Sequence, residues 1–290
     1  KNSTSAISYL KERNISGETA KIFDLGYAEN NFQMLINKFS STYSEIDLLN
    51  AGLIVKKDSN TYDKFRDRVM FPIHDASGNT IAFGGRILKD DTDKPQAKYM
   101  NSPETILFSK KKVLYNLHLA RKEKKTNNCL QIVEGYMDVI ALHQAGIKNV
   151  VATLGTAVTQ ENLTQCFKYT NEIICCFDGD KAGVRAAGRS LEIALPEMRD
   201  GVSAKFLFLP DGEDPDSMVR KLGTEDFNKQ VDKATPLSEF LFDQLSDGID
   251  TSTADGKARL SKVCAPQINR IPQGVFRQLM LEELSRRTGI

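Results

Sequence analysis

The sequence predicts a mixed α/β protein: a parallel sheet covered by helices, preceded by a smaller α/β segment and followed by helices alone. Three observations predict it. From about residue 128, four continuous apolar runs each lead into a helical pattern, as parallel strands buried on both faces do. Before them, two extended stretches flank a Ser-Gly-Asn turn. After Pro236 the periodicity is helical to the end.

In chain order, "SAISYLKERN", "SGETAKIFDLG" and "SEIDLLNAG" read as short capped amphipathic helices, the last two closed by Gly26 and Gly52. "VMFPIHDASGNTIAFGGRIL" reads as a hairpin turning at "DASGN". "KDDTDKPQ", charged and interrupted by proline, is expected as an exposed loop, and "NSPETILFS" as the start of a helix with Pro103 in its first turn. The alternation follows: "CLQIVEG" into "YMDVIALHQAG", "NVVATLG" into "TQENLTQCFKY", "EIICCFDGD" into "KAGVRAAGRSLEIAL", and "AKFLFLPDGEDPD" into "SMVRKLG". Three parts are expected: residues 1–110, mixed α/β and basic; 111–236, the parallel sheet; and 237–290, a helical bundle around "LSEFLFDQL", "GKARLSKVCAPQI" and "VFRQLMLEELSRR".

Composition bounds the function classes. The 290 residues are 40% hydrophobic and 27% charged, as in ordinary globular proteins, and no window approaches the roughly 18 apolar residues of a membrane span. No basic-then-apolar secretory segment opens the chain, which starts on Lys1 and reads as a piece of something longer. The five cysteines are odd in number and form no C-x-x-C pair, so small core residues of a reducing, cytoplasmic compartment are expected. His74, His118 and His143 show no ligand-like spacing. The net charge is only +1, but it is unevenly placed: residues 61–125 hold fourteen Lys/Arg against eight Asp/Glu, and residues 126–216 seven against thirteen. A basic segment beside an acidic one suits a polyanion held next to divalent cations.

The acidic residues fall in a pattern. Three of the four expected parallel strands end in carboxylates: Glu134 after "LQIV", Asp178 and Asp180 after "IICCF", and Asp214 and Asp216 in "DGEDPD" after "KFLFL". In open α/β sheets, ligands bind at the carboxyl ends of strands. Asp138, one helical turn beyond Glu134, faces the same crevice as a supporting acid. Carboxylates converging there repel one another, and bound divalent cation relieves the repulsion. Oxygen ligands without His or Cys select Mg²⁺ or Mn²⁺ over zinc. Two such ions can activate an attacking oxygen and stabilise a leaving one, so phosphoryl or nucleotidyl transfer is the natural chemistry.

Look-alikes are separable. "DGDKAG" begins like a calcium loop, but Ala182 and Arg189 stand where that loop needs ligands. "TADGKA" lacks the first glycine of a P-loop. A haloacid-dehalogenase-type phosphohydrolase, with a nucleophilic first Asp in Asp-x-Asp, leaves Glu134 and the basic segment unexplained.

"VEGYMDVIALHQAG", "VATLGTAVT", "CFDGDKAG" and "PDGEDPD" together resemble the TOPRIM domain. The flanking "FRDRVMFPIHDASGNTIAFGGRIL" and "KYMNSPETILFSKKKVLYNL" resemble the catalytic core of bacterial DnaG-type primases, a likeness that begins at "YLKERNIS" and covers nearly the whole chain. The resemblance implies a TOPRIM Rossmann-like sheet and DNA-templated synthesis of short RNA primers from nucleoside triphosphates, on single-stranded DNA at the replication fork. It implies that Glu134, Asp178 and Asp180 are the principal metal-binding and catalytic acids, Glu134 also as general base, with Asp214 and Asp216 supporting a further ion. Arg68, Arg86, Lys98, Asn101 and Lys110 match positions that hold template and nucleotide phosphates. Tyr99 and Phe108 are aromatic candidates for stacking on bases, with core packing as the alternative. His74 departs from the arginine usual at its position. A replicative helicase is the implied partner, through a carboxyl-terminal domain expected to be absent here, as is the family's amino-terminal zinc-binding domain. Two alternatives remain at this point: a TOPRIM nuclease or topoisomerase, and a non-catalytic nucleic-acid-binding module.

Overall fold

The computed structural model describes residues 3–88, 97–124, 128–155 and 157–290. The "KDDTDKPQ" segment lies outside them. Two compact units are present, Lys1–His118 and Leu119–Ile290.

The first unit opens with α1 (Thr4–Glu12) and α2 (Gly17–Ile22), capped by Ser3 and Ser16, whose hydroxyls accept from Ala6 and Thr19 amides. β1 (Gly26–Ala28) follows, then α3 (Met34–Phe39) and α4 (Glu45–Asn50), the latter under a Ser44/Asp47 capping box. A small hairpin, β2 (Ile54–Lys57) with β3 (Asn60–Asp63), leads to the long antiparallel pair β4 (Arg68–His74) and β5 (Thr80–Ile87), and to β6 (Tyr99–Asn101). The sheet order is β1-β4-β5-β6. The expected hairpin is present, and the Asp75 carboxylate closes it by accepting from Ser77 and Asn79 amides.

Two expectations fail here. Gly26 does not close α2: Asp24 takes the left-handed turn at φ 48°, and Gly26 pairs with Met70 as the first residue of β1. Gly52 does take the left-handed conformation, at φ 68°. Pro103 starts no helix, because Thr105 and Phe108 exchange backbone hydrogen bonds and close the chain into a tight turn.

A single helical turn, α5 (Leu117–Ala120), leads along the chain into the second unit. Its strands and helices alternate as expected: β7 (Leu130–Val133), α6 (Tyr136–Gln144), β8 (Val150–Ala152), α7 (Gln160–Cys166), β9 (Glu172–Phe177), α8 (Lys181–Ala194), β10 (Ser203–Phe208) and α9 (Pro215–Val231). Gly223 kinks α9 at φ 77° and the chain resumes the helix beyond. The sheet order is β11-β10-β9-β7-β8, parallel except for the short β11 (Thr235–Pro236). β7 and β8 are wholly buried and β9 nearly so, which requires cover on both faces. Helices α6 and α9 pack together, as do α7 with α8 and α8 with α10 (Leu237–Ser246). Cys166, Cys175 and Cys176 are fully enclosed in this core, where burial pushes their thiols up, as expected of inert packing residues. α11 (Ala254–Ile268) and α12 (Val275–Thr288) complete the chain, packed on each other.

Candidate metal and nucleotide site

The strand order β8-β7-β9-β10 reverses direction between β7 and β9, where successive connections run to opposite sides and a crevice opens. The three acid-bearing strands, β7, β9 and β10, are neighbours across that point. Ile132 stands opposite Cys175, and the register carried two residues on brings Glu134 level with Phe177, immediately before Asp178. Phe177 in turn pairs with Phe208 of β10.

Helix termini fix the acids. Asp180 caps α8, its Oδ1 accepting from the Gly183 amide at 2.7 Å; Asp214 caps α9, accepting from the Ser217 amide at 2.6 Å. Each cap uses one carboxylate oxygen for folding. Asp138, in the first turn of α6, accepts from the Asp216 amide at 3.4 Å. Asp216 is 1% exposed and ion-paired with Arg220, one turn further on α9, at 3.0 Å.

Glycines let these loops meet. A Cβ on Gly179 would lie 1.9 Å from the Pro210 carbonyl oxygen, so only glycine lets the β9–α8 and β10–α9 loops cross backbone to backbone. A Cβ on Gly135 would lie 2.6 Å from Asp138 Oδ2, so that glycine clears room for the carboxylate.

The electrostatics are those of crowded acids. Desolvation, then the charges of Asp214 and Asp178, push Asp138 up to about 8. Asp178 is raised to about 6 by desolvation and by Glu134, Asp214 and Asp180. Glu134, exposed at the rim, is raised by partial desolvation and by Asp180, with Arg189 opposing. Glu134, Asp138, Asp178, Asp180 and Asp214 thus form one field; Asp216 is tied to it through Asp138 and partly neutralised by Arg220. The oxygen-only donors and their mutual repulsion fit a hard divalent cation. Among the described residues no three Asp, Glu, His or Cys side chains form a ready cage, so the acids line an open crevice.

Arg189 and Arg220 did not emerge from the sequence reading as partners of the acids. A signal for Arg189 was available: Lys181, Arg185 and Arg189 recur every fourth residue of α8 directly after Asp180.

The basic positions belong to the first unit. Arg68 is 1% exposed, and its Nη1 donates to the Gly85, Ala97 and Lys98 carbonyls at 3.3, 3.0 and 3.4 Å. It ties β4 to β5 and to the segment entering β6, and faces carbonyls instead of solvent. Arg86, 8% exposed, donates to the Ile87 carbonyl and lies 4.4 Å over the Tyr9 ring and 5.7 Å over Tyr99. Lys98 is exposed, and Asn101 and Lys110 are partly so. Phe108 is core, at 1% exposure, whereas Tyr99 is partly open at 39%. His74 lies beside His118 with ring centroids 4.3 Å apart and planes tilted by 38°, and desolvation holds it below the usual imidazole range.

Comparison with known proteins now bears on this geometry. Three family descriptions match in sequence: "DNA primase catalytic core, N-terminal domain" over residues 1–121, "Toprim-like" over 131–219, and "DnaB-helicase binding domain of primase" over 238–290. A primase domain structure from Pseudomonas aeruginosa superposes with a TM-score of 0.93 at 46% identity, covering 99% of this chain and 89% of that one. The chain belongs to the DnaG primase catalytic-core family. A DnaG primase catalytic domain bound to single-stranded DNA superposes at a TM-score of 0.92, also 46% identical, covering 99% and 89% of the two chains. The DNA primase of Escherichia coli K12 is 46% identical over 289 residues, which is 99% of this chain and 49% of that protein. The chain therefore spans about half the length of the curated primases it matches.

The match over 238–290 corrects one expectation. A helicase-binding region was expected to be absent, yet the three terminal helices carry the family's helicase-binding description. Amphipathic helices with no chemical motif gave no sign of it.

Proposed function

We propose that this chain is the primer-synthesising core of a bacterial DNA primase. The observation that carries the reading is that Glu134, Asp178 and Asp214 stand in the connections leaving the carboxyl ends of three adjacent parallel strands, around the point where the sheet changes winding direction. The proposed reaction is attack of a ribonucleotide 3′-hydroxyl on the α-phosphate of the next nucleoside triphosphate, with release of pyrophosphate. Mg²⁺, with Mn²⁺ as a substitute, would supply charge neutralisation and activation of the hydroxyl when bound. Glu134, Asp178 and Asp180 would hold it, with Asp214 and Asp216 supporting a further ion. Glu134, raised and exposed at the rim, is the candidate to accept the hydroxyl proton. Asp138, itself raised by desolvation and by the charges of Asp214 and Asp178, supports the site by accepting from the Asp216 amide.

Lys98, Asn101 and Lys110 are the proposed contacts to template and triphosphate; Arg86 backs Tyr99 and Arg68 shapes the β5–β6 edge that presents Lys98. Among the described residues no helix is long and apolar enough to cross a membrane. The proposed setting is the bacterial replication fork, where helices α10–α12 would meet the replicative helicase.

The test is incubation with single-stranded DNA, a pre-annealed RNA primer, labelled nucleoside triphosphates and Mg²⁺, beside Glu134→Gln and Asp178→Ala. Metal-dependent extension that falls by roughly a hundredfold or more in both variants supports the reading. Shortened DNA in place of extended RNA would assign the same acids to a nuclease.

A further inference from the structure

Ile106 is 96% exposed and its neighbour Leu107 is 68% exposed. Single exposed apolar residues are ordinary, but these two occupy the centre of a tight turn, where Gly, Asn, Asp and Pro are favoured for conformational reasons. The turn is built rigidly. Thr105 and Phe108 exchange backbone hydrogen bonds, and the Thr105 hydroxyl accepts from the Leu107 and Phe108 amides at 3.2 and 3.0 Å. Phe108, 1% exposed, anchors one end in the core. Fully buried Ser102 anchors the other, its hydroxyl accepting from the Phe83 amide at 3.0 Å. Glu104 braces the base by accepting from the Lys110 amide at 2.9 Å. Holding two aliphatic side chains in water this firmly gives the fold nothing.

The surroundings indicate what they meet. Lys110, Lys111 and Lys112 follow immediately, and Lys64 lies close enough to Lys110 for the two charges to interact. An apolar tip on a cationic base matches a single strand of nucleic acid, whose bases offer flat apolar faces and whose backbone offers phosphates. We propose that the Ile106–Leu107 tip packs against a base of bound single-stranded nucleic acid while Lys64 and Lys110–Lys112 hold the adjoining phosphates. This rests on the primase reading and adds to it an apolar contact site. Apolar wedges of this kind stack on or part base steps without reading sequence.

The experiment is fluorescence anisotropy of a labelled oligothymidylate with the 290-residue chain over a series of salt concentrations. The double variant Ile106→Ser/Leu107→Ser is expected to bind roughly five- to tenfold more weakly with an unchanged salt slope, since no phosphate contact is lost. Lys111→Ala/Lys112→Ala is expected to lower the slope by about 1.4. Both sites are exposed, so thermal unfolding of the variants should match the parent. Unchanged affinity in the serine variant overturns the proposal. So does an unchanged oligonucleotide affinity paired with lost binding to phosphatidylglycerol vesicles, which would assign the tip to a lipid surface. Primer extension by the parent chain separates the cases: if it persists while the serine variant binds normally, only the tip proposal falls. If the parent neither extends a primer nor binds the oligonucleotide, the primase reading falls with it.

Discussion

The Asp138 carboxylate accepts the backbone N–H of Asp216 at 3.4 Å, joining the first turn of α6 to the first turn of α9 across 78 residues. It does so among like charges and with its acidity held near 8. The folded state therefore keeps a proton that the unfolded chain releases near the ordinary aspartate value of about 4. Without divalent cation, the contribution of Asp138 to stability is full below about pH 4 and is lost as pH rises toward about 8, by on the order of 5 kcal/mol. Asp138→Asn keeps the accepting oxygen and should flatten that dependence. Urea unfolding at about pH 5 and about pH 8 in chelator, repeated with Mg²⁺, measures it. Equal slopes for parent and variant would refute the account.

Asp180 has two duties that substitution can separate. Asp180→Asn retains an oxygen for the Gly183 amide and should unfold like the parent while losing primer extension. Asp180→Ala should lose extension and also about 1 kcal/mol of stability. A calorimetric scan beside the extension assay distinguishes the two.

Gly179→Ala should cost about 2 kcal/mol or more, because its Cβ would meet the Pro210 carbonyl and neither loop can withdraw without moving an acid. Gly17→Ala, on α2 with nothing within 4 Å, should be neutral or stabilising by up to about 1 kcal/mol. Denaturant midpoints of the pair test whether close approach, not loss of glycine as such, sets the cost.

Arg68 and Lys98 are both basic residues of the first unit, yet their surroundings predict different behaviour. Lys98→Ala should leave unfolding unchanged and lower the salt slope of single-strand binding by about 0.7. Arg68→Ala should cost about 2–4 kcal/mol, since three carbonyls lose their donor, and Arg68→Lys should restore little of it. An Arg68 variant that stays folded yet lowers the slope as Lys98→Ala does would show that the guanidinium contacts phosphate after all.

The second unit was legible because its signals are local. "LQIV", "NVVA", "EIICCF" and "AKFLF" are continuous apolar runs followed by helical periodicity, and the acids stand directly after two of them and in the short loop after a third. The first unit's short strands were not. β1 exists because Tyr27 pairs with Val69, a relation no window of adjacent residues contains, and it drew Gly26 out of the role of helix terminator. "NSPETILFS" has helix-start chemistry, but the reciprocal Thr105–Phe108 bonds override it. Spacing identified Asp138, but its unusual acidity arises only when Asp178 and Asp214 arrive from other strands. Likewise, sequence pattern marks Arg68 as basic without revealing that its partners are carbonyls.

The crossing at Gly179 also limits how this crevice can be altered. Gly179 touches the Pro210 carbonyl, and its amide reaches the Glu213 carbonyl at 3.4 Å, so the segments bearing Asp178, Asp180 and Asp214 share one mechanical frame. An insertion or deletion in residues 209–213 would displace the other loop as surely as its own. Single-loop grafts should fail where paired grafts succeed, and any lineage that changes the length of one loop must change its neighbour in the same step.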